Sequence, residues 1–191
     1  MDPARTIDVR FNLDNLLMSN DERDATQLAL RERVAAVPGV ASVALVAPGG
    51  RAVNVHTATR DTDDHMRRNH HVPYEYRVDS GYFTTLGSTL RGRDFDSRDV
   101  RNAPKVAIIN APLAQELFPG EEPLGACVYL PVRADDPSGE CFTVVGVLEG
   151  FYYGRDMLER DGLLVYVPHA QRQFGLGRAG GIVVRLDGPA A

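Results

Sequence analysis

The stretch VAIINAPLAQELFPGEEPLG, residues Val106 to Gly125, reads as a strand that turns directly into a helix. Its opening apolar run is typical of a buried strand. Asn110 then provides a helix N-cap, and Pro112 lies in the first helical turn, where its missing N–H costs nothing. Leu113 and Leu117 are one turn apart and would face the core, and a Pro-Gly pair ends the helix. The stretch therefore predicts a strand and a helix packed against each other.

The N-terminal part follows the same logic as a strand, a helix and a second strand. TIDVRFNL alternates apolar and polar residues from Ile7 onward, which predicts a half-buried strand. Ser19 is the first of several N-cap candidates, and Leu30, Val34 and Val37 recur at a spacing that places them on one helical face. VASVALVA has few polar interruptions and predicts a strand inside a sheet.

Four further stretches predict strands: VPYEYRVD, FTVVGVLEG, GLLVYVP and GIVVRL. SGYFTTLG predicts a short helix closed by Gly87. Strands interleaved with a few short helices predict an α+β fold with α/β-like character, arranged as two lobes.

Composition and charge remove several classes of function. The 191 residues carry a formal net charge of -5, and no run of Lys or Arg forms a basic stripe, so we predict no nucleic-acid partner. No run of 18 apolar residues occurs, and the start lacks the regions of a signal peptide. Both ends of the chain suit a fragment excised from something longer.

The chain offers little that predicts catalysis. His65, His70 and His71 lie beside several aspartates, but no helical or strand period would hold them as metal ligands, so we predict no metal site. A metal-dependent enzyme using these histidines is the alternative that metal analysis would test. Glu121 and Glu122 lie in a turn, where solvated acids are the default. No hydrolase or phosphate-loop motif occurs, and we predict no catalytic residue and no cofactor.

Both cysteines lie in ACVYLPVRADDPSGECF, and they could form a metal clip, a redox pair or a hairpin staple. The stretch has no C-x-x-C motif and no second Cys pair or nearby His for zinc. Two prolines bound a loop between the arms CVYL and SGEC. If Leu130 faces Ser138, Cys127 faces Cys141 within disulfide range, and the pattern therefore predicts a disulfide.

Two segments are candidates for contact with a partner. EGFYYGRDML follows a buried strand, and its aromatic residues could form a contact surface or simply cap the core. RDTDDHMRRNHH, residues 60–71, is polar and predicts an exposed loop. The candidate contact residues in these two segments are Phe151, Tyr152, Tyr153, His65, Arg67 and Arg68.

Four blocks in this order and spacing resemble the periplasmic core domain of MacB-type ABC transporter permeases, a group that includes FtsX-like proteins. The blocks are GYFTTLGSTLRGRDF, VAIINAPLAQELFPGEEPLG, FTVVGVLEG and LVYVPHAQ. The resemblance implies a discontinuous porter-like βαβ lobe at residues 1–90 plus 180–191, and a smaller inserted mixed α/β lobe at residues 91–179. Members of the family continue past the position of Gly188 with another helix and strand.

The resemblance also implies a mechanical function. The chain would be a periplasmic domain of an inner-membrane permease that transmits ATP-driven motion to export or extract a substrate. It would not be an enzyme, since ATP hydrolysis is expected on a separate cytoplasmic ABC subunit or domain. The implied partners are the permease's transmembrane helices, a periplasmic adaptor and an outer-membrane channel, and the intact transporter could be a homodimer. The alternative is a freestanding two-lobed periplasmic module that binds a solute or acts as a sensor.

Overall fold

The computed structural model describes residues 5–13, 16–51, 55, 57, 73–131, 139–149, 162–172 and 179–188. The strands and helices, in chain order, are β1 (Thr6–Asn12), α1 (Asn20–Ala35), β2 (Val40–Arg51), β3 (Tyr74–Val78), α2 (Tyr82–Leu86), β4 (Thr89–Gly92), β5 (Val106–Asn110), α3 (Ala111–Leu117), β6 (Cys127–Leu130), β7 (Glu140–Glu149), β8 (Leu164–Pro168) and β9 (Ala179–Leu186). A 3₁₀ turn at His169–Gln171 follows β8. This arrangement confirms the predicted α+β class.

All nine described strands belong to one mixed sheet. Its order is β1-β9-β2-β3-β8-β5-β7-β4, with β6 also paired to β7. The pairs β3–β8 and β5–β7 are parallel, and the other pairs are antiparallel. Strands of both predicted lobes therefore share the sheet, because β3 of the porter-like lobe pairs with β8 of the inserted lobe. The lobe boundaries at residues 90 and 180 stay a prediction.

The helices cover the two faces of the sheet unequally. Along β8, Val165 packs in one apolar core with α3, whereas Tyr166 packs in another core with α2. Along β9, Val183 belongs to the α2 core, whereas Ile182 lies in a third core beside residues of α1. Because successive strand residues point to opposite faces, α1 and α3 share one face and α2 covers the other.

The N-terminal unit has the predicted elements but exposes more apolar surface than its pattern suggests. Ser19 caps α1 and forms a capping box with Glu22. Ile7 and Val9 are 40% and 41% exposed, because β1 lies at one edge of the sheet and α1 packs over β2 instead. The prediction that Val37 continues the buried face of α1 is wrong, since α1 ends at Ala35 and Val37 is 51% exposed. Val37 precedes a proline, and residues in that position are disfavoured in helices.

The disulfide between Cys127 and Cys141 is present, with a Cα–Cα distance of 5.4 Å. The staple predicted from the sequence is thus confirmed, but the predicted strand register is wrong. Leu130 pairs with Glu140 instead of the residue two positions earlier, so the cysteines are diagonal neighbours rather than directly opposite. Gly139 has a φ of 63°, a left-handed conformation outside the extended range, and strand pairing begins only after it.

Candidate functional site

The two ends of the sheet differ in what they connect. Thr6, where β1 begins, is the Cα partner of Arg185 near the end of β9, and β2 begins beside them at Val40. We call this the basal end. β2 runs away from it and finishes at Arg51, which pairs with Tyr74 at the start of β3. We call this opposite end the apical end.

The chain segments that join strands at the apical end return to the sheet side by side. Residues 52–73 lead into β3 and residues 150–163 lead into β8, which is the parallel neighbour of β3. The two entry points are in register, because Tyr74 and Leu164 are Cα partners. They are also hydrogen-bonded, since the Tyr74 N–H donates to the Leu163 carbonyl at 2.8 Å. The apical end is thus a shared base for both segments.

Asn110 fixes the entry to β8. Its side chain caps α3 by accepting a hydrogen bond from the Leu113 N–H at 3.3 Å. The same oxygen accepts from the Leu164 N–H at 3.0 Å, and the amide NH₂ donates to the Gly162 carbonyl at 2.7 Å. Asn110 is only 7% exposed, so these bonds satisfy a buried polar group. The N-cap predicted from the sequence is confirmed. The sequence did not indicate that Asn110 also holds the start of β8.

The contact residues predicted from sequence belong to the two segments that start from this base. All six lie outside the described residues: Phe151, Tyr152, Tyr153, His65, Arg67 and Arg68. Their role in partner contact therefore stays a prediction. The described strand ends bring the attachment points of the two segments onto adjacent strands, which the sequence did not indicate.

A groove of about 460 Å³ lies between α3 and the strands β4 and β7, and we call it the α3 groove. Its apolar lining consists of Ala111, Ala114, Phe118, Pro119, Pro123 and Val147. Its other lining residues are Arg91, Gln115, Gly120, Glu121 and Glu149. The groove adjoins the apical end, because α3 begins and β7 ends there.

Arg91 ties the rim of the α3 groove together. Its guanidinium hydrogen-bonds Glu122, and its Nε lies 3.5 Å from a carboxylate oxygen of Glu149. The bond from Arg91 lowers the pKa of the Glu122 carboxyl, and a hydrogen bond from the Leu124 N–H adds to this effect. The bond to Glu122 raises the pKa of Arg91. Glu122, read from the sequence as a solvated turn residue, therefore has a specific partner 31 positions away.

We expect Glu122 to titrate below its ordinary pKa of 4.5, and Arg91→Met to move that pKa upward. A carboxyl whose pKa is lowered by folding stabilises the native state above its ordinary pKa, and this contribution is lost as the pH falls through the lowered value. Carbon-detected NMR titration of the Glu122 carboxyl measures the shift. Arg98→Met is the matched control, because Arg98 pairs with Asp96 instead. An unchanged Glu122 titration in Arg91→Met would contradict the assignment.

A buried charge network joins β3 to the disulfide-linked hairpin of β6 and β7, on the face of the sheet that carries α1 and α3. Arg172 and Glu75 are 7% and 5% exposed and form a two-pronged ion pair, with the Arg172 Nε at 3.0 Å from the carboxylate. Arg172 also donates to the Pro131 carbonyl at 3.0 Å and lies over the Phe142 ring at 5.2 Å. Arg77 donates to Glu75 at 3.2 Å. The network therefore spans residues of both predicted lobes.

The described part of the chain contains no group of three or more His, Cys, Asp and Glu residues placed to hold a metal ion. The histidines 65, 70 and 71 weighed as ligands lie outside the described ranges. Within those ranges, no helix is long and apolar enough to cross a membrane.

The family model described as MacB-like periplasmic core domain matches residues 4–191. No protein of curated function matches the chain in sequence. The four blocks singled out in the sequence all fall inside the matched range.

Three solved structures with the same fold are domains of transporters or a permease. The periplasmic region of MacB from Actinobacillus actinomycetemcomitans superposes with a TM-score of 0.65 at 17% identity, covering 98% of this chain and 77% of that one. The extracellular domain of YknZ, a noncanonic ABC-type transporter from Gram-positive bacteria, gives a TM-score of 0.60 at 21% identity, with 96% and 84% coverage. A domain of a putative permease from Porphyromonas gingivalis gives 0.51 at 14%, with 81% and 60% coverage.

Proposed function

Because this chain belongs to the MacB-like periplasmic core domain family, a class of periplasmic domains of ABC-type permeases, we propose that it transmits ATP-driven motion to periplasmic partners. The motion would come from the membrane-spanning part of the permease and serve the export or extraction of a substrate. The domain itself performs no chemistry in this proposal, and ATP is hydrolysed on a separate cytoplasmic subunit or domain.

The observation that carries the proposal is the pairing of β1 with β9. The start of one strand lies beside the end of the other, at Thr6 and Arg185, so the chain enters β1 and leaves β9 at the same, basal end of the sheet. This arrangement suits a domain held between two membrane segments, since both segments reach the same membrane surface. The apical end then faces away from the membrane.

The geometry also supports partner contact at the apical end. The segments that hold the predicted contact residues return to the sheet there, on the adjacent strands β3 and β8. The pairing of β3 with β8 and the hydrogen bonds of Asn110 to the start of β8 would keep the attachment points of both segments at a constant distance as the sheet moves. We propose that a periplasmic adaptor, and through it an outer-membrane channel, engages this end. A homodimer of the intact permease would present two such ends.

Spin labelling of the intact permease tests location and motion together. Glu116→Cys places a cysteine on the exposed side of α3, while the two native cysteines are joined in a disulfide. We expect a membrane-impermeant methanethiosulfonate nitroxide to label it in spheroplasts. After purification with the ATPase into nanodiscs, we expect the distance between labels in the two copies to change when ATP is added.

The control is an ATPase variant that does not bind ATP, in which the distance distribution should stay that of the nucleotide-free transporter. Labelling that requires broken cells would place the domain on the cytoplasmic side and reject the proposal. Efficient labelling with a distance unaffected by ATP would reject the mechanical role while leaving the location in place.

A further inference from the structure

The α3 groove has the dimensions of a binding site. Its volume of about 460 Å³ falls within the range of roughly 300 to 1,000 Å³ that is usual for ligand sites. Small side chains such as Ala111 and Ala114 form one wall, and Phe118 and Val147, which are 8% and 2% exposed, contribute the few of their apolar atoms that reach the groove. A groove lined in this way can accept an apolar side chain.

Carboxylates outnumber cations at the groove. Glu121 and Glu149 line it, and Glu122 binds Arg91 at the rim. Among these described residues, three carboxylates thus stand against one guanidinium, and that guanidinium is already engaged by Glu122 and Glu149. A further cation is attracted to this rim, and a further anion is repelled.

We propose that the α3 groove binds a segment of a partner protein in which a basic side chain stands next to an apolar one. The apolar side chain lies against Ala111 and the exposed edge of Phe118, and the basic side chain lies between Glu121 and Glu149. Apolar anchors that enter a pocket supply most of the affinity of such contacts, and charged rims select the partner.

The position of the groove agrees with a docking role. Ala111 directly follows Asn110, and Glu149 is the last residue of β7, so the groove opens next to the apical end. A segment bound there would contact the domain on the side proposed to face the partners. In this respect the inference rests on the proposed function, although the groove is a property of the isolated domain.

Peptide titration of the 191-residue chain tests the inference. The probe is acetyl-Leu-Arg-Leu-Arg-Leu-amide, and acetyl-Leu-Glu-Leu-Glu-Leu-amide is its acidic counterpart. We expect the basic peptide to shift the NMR amide signals of Arg91, Gln115 and Val147, and the acidic peptide to leave them unchanged. The double variant Glu121→Lys with Glu149→Lys should weaken the basic peptide's affinity by about tenfold or more, since two attractions become repulsions.

Glu116→Lys is the matched control, because Glu116 lies on the same helix but does not line the groove. It should keep the affinity of the unsubstituted chain. The inference is overturned by absence of shifts, by equal binding of the acidic peptide, or by equal weakening in Glu116→Lys. Concentration-dependent shifts of the same amides without peptide would show a second copy of the chain in the groove and would also overturn it. None of these results depends on the membrane topology, so the groove and the proposed function fail separately.

Discussion

Replacing Arg172 with methionine should lower the free energy of unfolding by about 3 to 5 kcal/mol, because it leaves the Glu75 carboxylate buried without its main partner. The variant also removes the donor to the Pro131 carbonyl and the cation over Phe142. Arg77 still donates to Glu75, which favours the lower part of that range. Urea unfolding followed by circular dichroism measures the change.

The double variant Glu75→Leu with Arg172→Met separates loss of a charge partner from loss of packing. It removes both charges of the pair, so it should lose less stability than Arg172→Met alone. Arg98→Met removes an exposed partner of Asp96 and should leave the transition almost unchanged. If Arg172→Met unfolds with the native midpoint, or if the double variant is as unstable as the single one, the network does not contribute in the way its geometry indicates.

Removing the disulfide should cost about 3 kcal/mol in the chain-entropy model, given the 14-residue separation of Cys127 and Cys141. The disulfide joins the short strand β6 to β7, so we expect loss of the disulfide to detach β6 first. The variant Cys127→Ala with Cys141→Ala should therefore unfold at lower urea than the oxidised native chain.

Reductant supplies the internal control for the disulfide. The chain has only two cysteines, so reduced native protein should match the double alanine variant, and reductant should not affect that variant. Equal midpoints for the oxidised and reduced native chain would mean that the hairpin is held by its strand pairing and by Arg172 alone.

Local sequence signals predicted the elements whose causes are local. Asn110, Pro112 and the leucines of α3 specify a capped helix after a buried strand, and the structure has that helix. Gly87, with a φ of 65°, closes α2 as its sequence position indicated. The family resemblance drew on the same blocks and is confirmed over residues 4–191.

Features that depend on the order of strands were not accessible from the sequence. Val9 alternates like any half-buried strand residue, and only the position of β1 at the sheet edge exposes it. Glu75 and Arg172 are 97 residues apart, and neither has a spacing that would identify the other. Glu75 and Arg77 of β3 lie on the face that carries α1 and α3, whereas alternation alone predicts that they face solvent. The α3 groove has the same origin, since its lining comes from α3, β4 and β7.

The pairing of β1 with β9 determines how the domain responds to force. The ladder hydrogen bonds of an antiparallel pair lie perpendicular to the strands, and here both outer ends lie at Thr6 and Arg185. A force that pulled these two points apart along the hydrogen-bond direction would break the ladder hydrogen bonds one after another, starting at the basal end. Equal displacement of both points would load none of them. If the domain is mounted at these two points as proposed, it would move as one body under a common push or tilt, and the β1–β9 pair would be the first to open under separation.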